Sequence, residues 1–344
     1  MISTGDTINE KTIKRFSISL DDMIQPPELK LHLPMNIGSG KKATTTQVWL
    51  MLQAAYYGDL EKVQALASEC EGLLYAQYNY APPIHFAVRE GHIELVKYLL
   101  SRGAHDSAYR FYPFLDSMQT VALDRGYKEI AALLDDYAGK DCARYKGDNG
   151  KITYNRTSQQ KEFEKAVSRN QLRKVKNILE QHPEFALDDT YFWSEGILTA
   201  PVKEGGYAMA DMLISYGAKV PKILKWAQFY YFETLAHAEF IMARGMDANT
   251  ISWQHVTLLH DMAQKGYLDK AALLLGYGAA INALDEAYLS TPLGLAARWG
   301  HLPMVELLLT HGADPKLAGA DWATPLAWAE SKGHKHIAEL LKRV

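Results

Sequence analysis

One phrase recurs at a fixed interval, and it constrains this chain more than any residue propensity does. Residues 291–314 read TPLGLAARWGHLPMVELLLTHGAD, and 33 positions further on residues 324–341 read TPLAWAESKGHKHIAELL. Stepping back 34 residues from Gly300 gives Gly266, inside TLLHDMAQKGYLDKAALLLGYGA, which starts at Thr257. The N-terminal half carries the phrase too. PPIHFAVREGHIELVKYLLSRGA ends at Ala104, and its central Gly91 lies 33 residues after Gly58 in LQAAYYGDLEKVQALA. Weaker copies surround Gly126, Asn170 and Gly205, with a shortened one at residues 226–249.

The phrase has a direct physical reading. Thr291 and Thr324 are good N-cap residues, and Pro292 and Pro325 then occupy the first helical position, where no backbone donor is lost. A run of small apolar residues suits close packing, and Gly300 or Gly333 predicts a left-handed stop. A second helix follows. In residues 303–311 the apolar side chains Met304, Val305, Leu307, Leu308 and Leu309 cover more than one face, as expected of a helix with neighbours on both sides. Helices of seven to ten residues fall below the ~12 to 15 needed for marginal stability alone. Each pair must therefore be held by stacking on the next.

The pattern resembles the ankyrin repeat, most fully over residues 291–314. The resemblance covers about residues 47–344 as nine candidate copies, several degenerate, with Asn170 where glycine is usual in the fourth. It implies an all-α solenoid of helix pairs, with loops such as 280–290 projecting as fingers beside a concave face. It also implies structural turn roles for His92, His301 and His334, and backbone bonding by His85 and His260. The expected organisation is a leader over 1–46 that either caps the first repeat or stays mobile, then repeats over 47–137. A polar basic insert over 138–160 and repeats over 161–344 complete it. Gly38-Ser39-Gly40-Lys41-Lys42 in the leader fails as a phosphate loop, because Met35 stands at the first glycine position and Lys42 at the hydroxyl position.

Composition narrows the function classes. With 48% hydrophobic and 22% charged residues the chain has the profile of a folded protein. No run approaches the ~18 to 20 apolar residues of a membrane span, and the N-terminal residues lack the apolar core of a secretory signal. Two cysteines, Cys70 and Cys142, make no disulfide framework. A cytoplasmic location is the expectation. Net charge is −3, but residues 138–176 carry eleven Lys or Arg against four Asp or Glu. That segment reads first as a solvated linker and helix face. Nucleic acid is not expected there, because aromatics are not interleaved with the cations.

Catalytic and metal chemistry is not expected. His260-Asp261 lacks the spacing that sets two imidazoles on one helical face, no Gly-x-Ser-x-Gly elbow occurs, and no cofactor motif is present. The unusual feature is the aromatics just before the Thr-Pro positions, at the fingers. They are Tyr78 and Tyr80, Phe192 and Trp193 beside Tyr191, Trp253 with His255, Tyr288, and Trp322. Arg298 and Trp299 end the first helix of the eighth repeat, a position that in ankyrin repeats commonly faces the groove. Large aromatics beside an Arg are enriched in binding hot spots, whereas Phe229, Tyr230 and Tyr231 are expected in the core. The leading expectation is a non-catalytic scaffold that binds a protein partner through its concave face and fingers. The alternative is a groove for a small molecule or sugar, with His255, His260, Asp261, Asp285 or Arg298 supplying polar contacts or even acid/base chemistry.

Overall fold

A computed structural model describes residues 23–111, 114–137, 150–224 and 230–344. The chain divides into two compact units, residues 23–155 and residues 156–344. Both are built from short helices in pairs, and the strands among the described residues are two or three residues long.

In the first unit the paired helices are α1 (Thr45–Tyr57) and α2 (Leu60–Glu69), α3 (Pro83–Arg89) and α4 (Ile93–Ser101), and α5 (Met118–Asp124) and α6 (Lys128–Tyr137). First helices stack on first helices, α1 on α3 and α3 on α5. Ahead of them β1 (Pro34–Asn36) and β2 (Lys42–Thr44) form an antiparallel hairpin in which Met35 faces Ala43. The Gly38–Lys42 stretch is its turn, with Gly38, Ser39 and Gly40 at positive φ. Residues 150–153 pair with the other edge of β1: the Asn36 amide donates to Lys151 and the Thr153 amide to Pro34, at 2.9 and 2.8 Å. Leu29, Met35 and Ile37 are fully buried beside this small sheet. Thr44 caps α1 reciprocally with Gln47.

The second unit contains α7 (Ser158–Ser168) and α8 (Leu172–Gln181), a short α9 (Tyr191–Ser194), α10 (Thr199–Lys203) and α11 (Tyr207–Ser215). Then come α12 (Leu235–Met242), α13 (Leu258–Lys265) and α14 (Leu268–Gly276), α15 (Pro292–Trp299) and α16 (Leu302–Thr310), and α17 (Pro325–Ser331) and α18 (Lys335–Leu341). Among the described residues the shortened sixth repeat contributes one helix, α12. Tyr231 and Phe232 before it are buried, as the core reading of Tyr231 requires; Tyr230 is half-buried, and Phe229 lies outside the described residues. The fingers add a two-residue parallel pair, β3 (Ile223–Leu224) with β4 (Ile251–Ser252).

The repeat phrase works as its chemistry predicts. Thr257, Thr291 and Thr324 each accept the third amide of the helix they start. Gly91, Gly126, Gly266, Gly300 and Gly333 all have positive φ, and Asn170 takes the same left-handed conformation at φ 52°. Asparagine is among the few side chains that tolerate it. Glycine has a second task in the stack. A Cβ on Gly300 would stand 2.6 Å from the His334 ring of the next repeat, and one on Gly266 would stand 2.9 Å from His301. Each ring then bonds a carbonyl of the preceding repeat through Nε2, His301 to Gln264 at 2.8 Å and His334 to Arg298 at 3.1 Å. His92 does the same to Tyr56 at 2.7 Å. The Gly-His pair is thus a ring-shaped peg and a side-chain-free hole, repeated along the stack.

Candidate partner-binding surface in the C-terminal repeats

The site grows from three fingers. In the finger before α13, Ser252 Oγ accepts the amides of Gln254 and Val256, turning the chain so that His255 takes φ 57°. In the next, Asp285 is fully buried and accepts the amides of Tyr288 at 2.7 Å and Ser290 at 3.1 Å. That grip holds Leu289 at φ 50°. A left-handed residue other than glycine costs roughly 1–2 kcal/mol, and such residues persist where the surroundings over-determine them. The third finger is a 3-10 turn over Asp321–Ala323 that starts α17.

Buried polar groups lock the fingers to the helices. His260 is fully buried. Its Nδ1 lies 2.8 Å from Thr257 Oγ1 and 3.3 Å from the Thr257 amide, while Nε2 lies 3.0 Å from Ala283 O and 3.1 Å from Ser290 O. Two carbonyls on Nε2 and an amide on Nδ1 assign the neutral tautomer with its proton on Nε2. Burial lowers the His260 pKa, against the opposing pull of Asp285 and the Ser290 and Ala283 carbonyls. Burial likewise raises the Asp285 carboxyl above its ordinary value, against His260 and the surrounding amides. Asp261 is raised by burial and held by Lys265 at 3.1 Å. Lys270 is lowered by burial and donates to Phe232 O at 2.7 Å. These groups spend their bonding capacity inside the fold, and His260 bonds the backbone as the resemblance implies. No cluster of metal-ligating side chains occurs among the described residues.

The sequence-predicted residues divide into two sets. Trp253 and His255 are 3% exposed, Tyr288 is fully buried and Arg298 is 5% exposed. These four lie beneath the surface rather than on it, because the fingers pack against each other and against the helix ends. His255 Nδ1 meets Glu286 Oε1 of the next finger at 2.6 Å, with both side chains buried. Arg298 donates from Nη2 to Tyr288 Oη at 3.0 Å. Its guanidinium lies 3.9 Å over the Trp299 ring, 4.2 Å over Tyr288 and 5.2 Å from Trp328. Trp328 extends the stack. Its Nε1 donates to Ser290 Oγ at 2.7 Å, and its ring meets Tyr288 and Trp322 edge-on, each at 5.6 Å. Trp299 and Trp322 are half-buried, so these two rings carry the assembly to the surface.

The remaining predicted residues stand apart from this stack. Tyr78 is buried, its hydroxyl bonded to Glu28, while Tyr80 is half exposed at φ 63° at the tip of the same finger. Phe192 is half-buried and its amide donates to Glu164; the Trp193 side chain lies outside the described residues. The sequence reading missed Trp328, which sits where the preceding repeat has the core residue Leu295. Its bulk at a position of small and medium side chains is the signal that could have found it.

Comparison with known proteins agrees with this architecture. The family model described as "Ankyrin repeats (3 copies)" matches residues 224–319 and 259–343, and the single "Ankyrin repeat" model matches residues 79–108. Human palmitoyltransferase ZDHHC13 is 40% identical over 95 residues, which is 28% of this chain and 15% of that protein. Human ARF GTPase-activating protein GIT1 is 35% identical over 97 residues, 28% of this chain and 12% of that protein. The chain therefore spans only a small part of the curated relatives it matches. An ankyrin repeat domain from Acinetobacter baumannii is similar at 24% identity and a TM-score of 0.42, covering 53% of this chain and 96% of that one. This chain carries ankyrin repeats over residues 79–108 and 224–343.

Proposed function

We propose that this chain is a non-catalytic binding scaffold whose C-terminal ankyrin repeats present the edges of Trp299 and Trp322 to a protein partner. The observation that carries this reading is the Arg298 stack: buried Tyr288, Arg298 and Trp328 hold the two half-exposed rings from behind. Rings fixed before association lose little side-chain entropy on binding, and rigid aromatic anchors beside arginine are the usual centres of binding energy. Buried Trp253, His255 and Glu286 act in this reading as supports that fix the finger ahead of Tyr288. The space between the aromatic faces is taken by the Arg298 guanidinium, which favours a protein surface over a small-molecule groove. No helix among the described residues is long and apolar enough to cross a membrane, and a cytoplasmic location accords with the proposal.

The test is affinity capture with the full chain beside its Trp299→Ala and Trp322→Ala variants. A protein retained by the parent and lost from both variants, with unfolding free energies within about 1 kcal/mol of the parent, supports the reading. Equal capture by all three chains refutes it.

A further inference from the structure

The fourth repeat carries a surface that the aromatic stack does not use. Within residues 156–344 its helices α7 and α8 are the first pair and stack on α10 and α11. The stack occupies a narrow stripe: α7 buries Phe163, Ala166 and Val167, and α8 buries Val175 and Leu179. Everything else on the pair faces solvent or is half-buried, and between residues 158 and 182 six Lys or Arg stand against Glu162, Glu164 and Glu180. Lys161, Lys165 and Arg169 are exposed at intervals of four residues, a rise of ~12 Å along one face. Arg173 stands exposed at the start of α8. Among the described residues none of these four cations is in an ion pair. Lys174 crosses to Glu162 at 2.7 Å.

That bridge separates two shallow depressions. One, of about 390 Å³, is lined by Lys161, Lys165 and Arg169; the other, of about 460 Å³, is lined by Arg173 and His182, and both include Glu162 and Lys174. Each carboxylate of the pair is met by another cation, Glu162 by Lys174, Glu180 by Lys176 at 3.9 Å and Glu164 by Arg156 at 3.8 Å. Four cations crowded around one already neutralised carboxylate repel one another and create a field that attracts an anionic partner.

We propose that this face is a docking surface for an acidic, extended polypeptide segment. Such a segment crosses the Glu162–Lys174 bridge and places carboxylates in both depressions. A polypeptide fits better than the other polyanions. The lining carries no Trp, Tyr or Phe on which the bases of a nucleic acid could stack. The same lining offers no exposed large apolar side chain to enter a lipid surface. The proposal uses neither Trp299 nor Trp322, so it stands or falls separately from the reading above.

The experiment is fluorescence anisotropy with the full chain and a labelled Glu/Asp decamer, run beside a Gln/Asn decamer and a single-stranded DNA decamer. Sedimentation with phosphatidylserine vesicles completes the set. The expected result is binding of the acidic decamer that weakens steeply with salt and falls at least about tenfold in Lys165→Glu, Arg169→Glu. Binding is retained in a Lys316→Glu, Lys335→Glu control of equal net charge, and both variants keep the parent unfolding midpoint. No binding of the acidic decamer overturns the proposal. So do equal losses in the two variants, which mean a nonspecific charge effect, and tighter binding of the DNA or the vesicles than of the acidic decamer.

Discussion

The fourth and eighth repeats are helix pairs of similar length, yet they bury themselves very differently. In the eighth, α15 buries every residue from Pro292 to Arg298, an arginine included. In the fourth, α7 buries three of its eleven residues. Their caps do not separate them, since both start on a threonine and both end in a left-handed residue, but α7 carries four charged residues where α15 carries only Arg298. Their neighbours differ too. Helix α15 packs on α13 and on α17, so its long side chains are trapped between first helices and fingers. Within its unit α7 has one such neighbour, α10. The full phrase and its weaker copy, in different surroundings, therefore yield a rigid polar-aromatic interior in one place and a solvated, largely cationic face in the other.

The largest effect should come from the interior. Trp328→Ala removes the ring that Ser290, Tyr288 and Trp322 meet, and is expected to cost ~3–5 kcal/mol in chemical denaturation. Arg169→Ala, on the exposed face, should fall within about 0.5 kcal/mol of the parent. Comparable losses at both positions would break the comparison.

The peg-and-hole account comes next. Gly300→Val puts a β-branched residue at positive φ and drives its Cβ into the His334 ring, so about 3 kcal/mol is expected from strain and overpacking together. Gly205 has the same backbone conformation with open space around its Cβ, and Gly205→Val should show the strain alone, ~1–2 kcal/mol. The difference between the two unfolding free energies measures the ring's part.

Acidification probes the buried interior of the seventh and eighth repeats. His260 is held neutral by burial, its pKa lowered in the fold. Its contribution is present above the unfolded imidazole value of about 6.5 and is lost as pH falls below it. Asp285, raised by burial, runs the other way: its contribution is present at low pH and lost as pH rises through its elevated value. Urea midpoints between pH 7.5 and pH 4 should therefore fall less in His260→Gln than in the parent, and fall more in Asp285→Asn. Parallel curves for all three chains would show that these groups do not titrate with unfolding.

The smallest effect concerns Asn170. Asn170→Gly relieves a left-handed side chain but loosens the unfolded chain, and the two should nearly cancel, leaving a change of less than about 1 kcal/mol.

The repeats were legible because their signals are local. Thr-Pro starts a helix, glycine stops it, and Asn170 was identified as the glycine substitute from its place in the phrase alone. The pairing of residues 150–153 with β1 was not legible, because strand partners more than a hundred residues apart leave no periodic trace. The finger aromatics were legible as a group, since equivalent repeat positions stack side by side. Which rings reach solvent was not. Tyr288 and Trp299 are both expected near the groove, but Asp285 turns the finger so that Tyr288 faces Arg298 and Trp328, and only the depth of that packing decides which ring is covered. Trp328 stayed hidden because the repeat pattern marks its position as ordinary core.

The most direct test of the binding account is affinity and stability measured together on Trp299→Ala, using the partner that the parent chain captures. The account predicts binding weaker by on the order of 2 kcal/mol, with unfolding free energy reduced by no more than about 1 kcal/mol for the lost cation–π contact. Affinity unchanged while stability falls by ~3 kcal/mol or more would make Trp299 a packing residue and contradict the claim that this stack presents a partner surface.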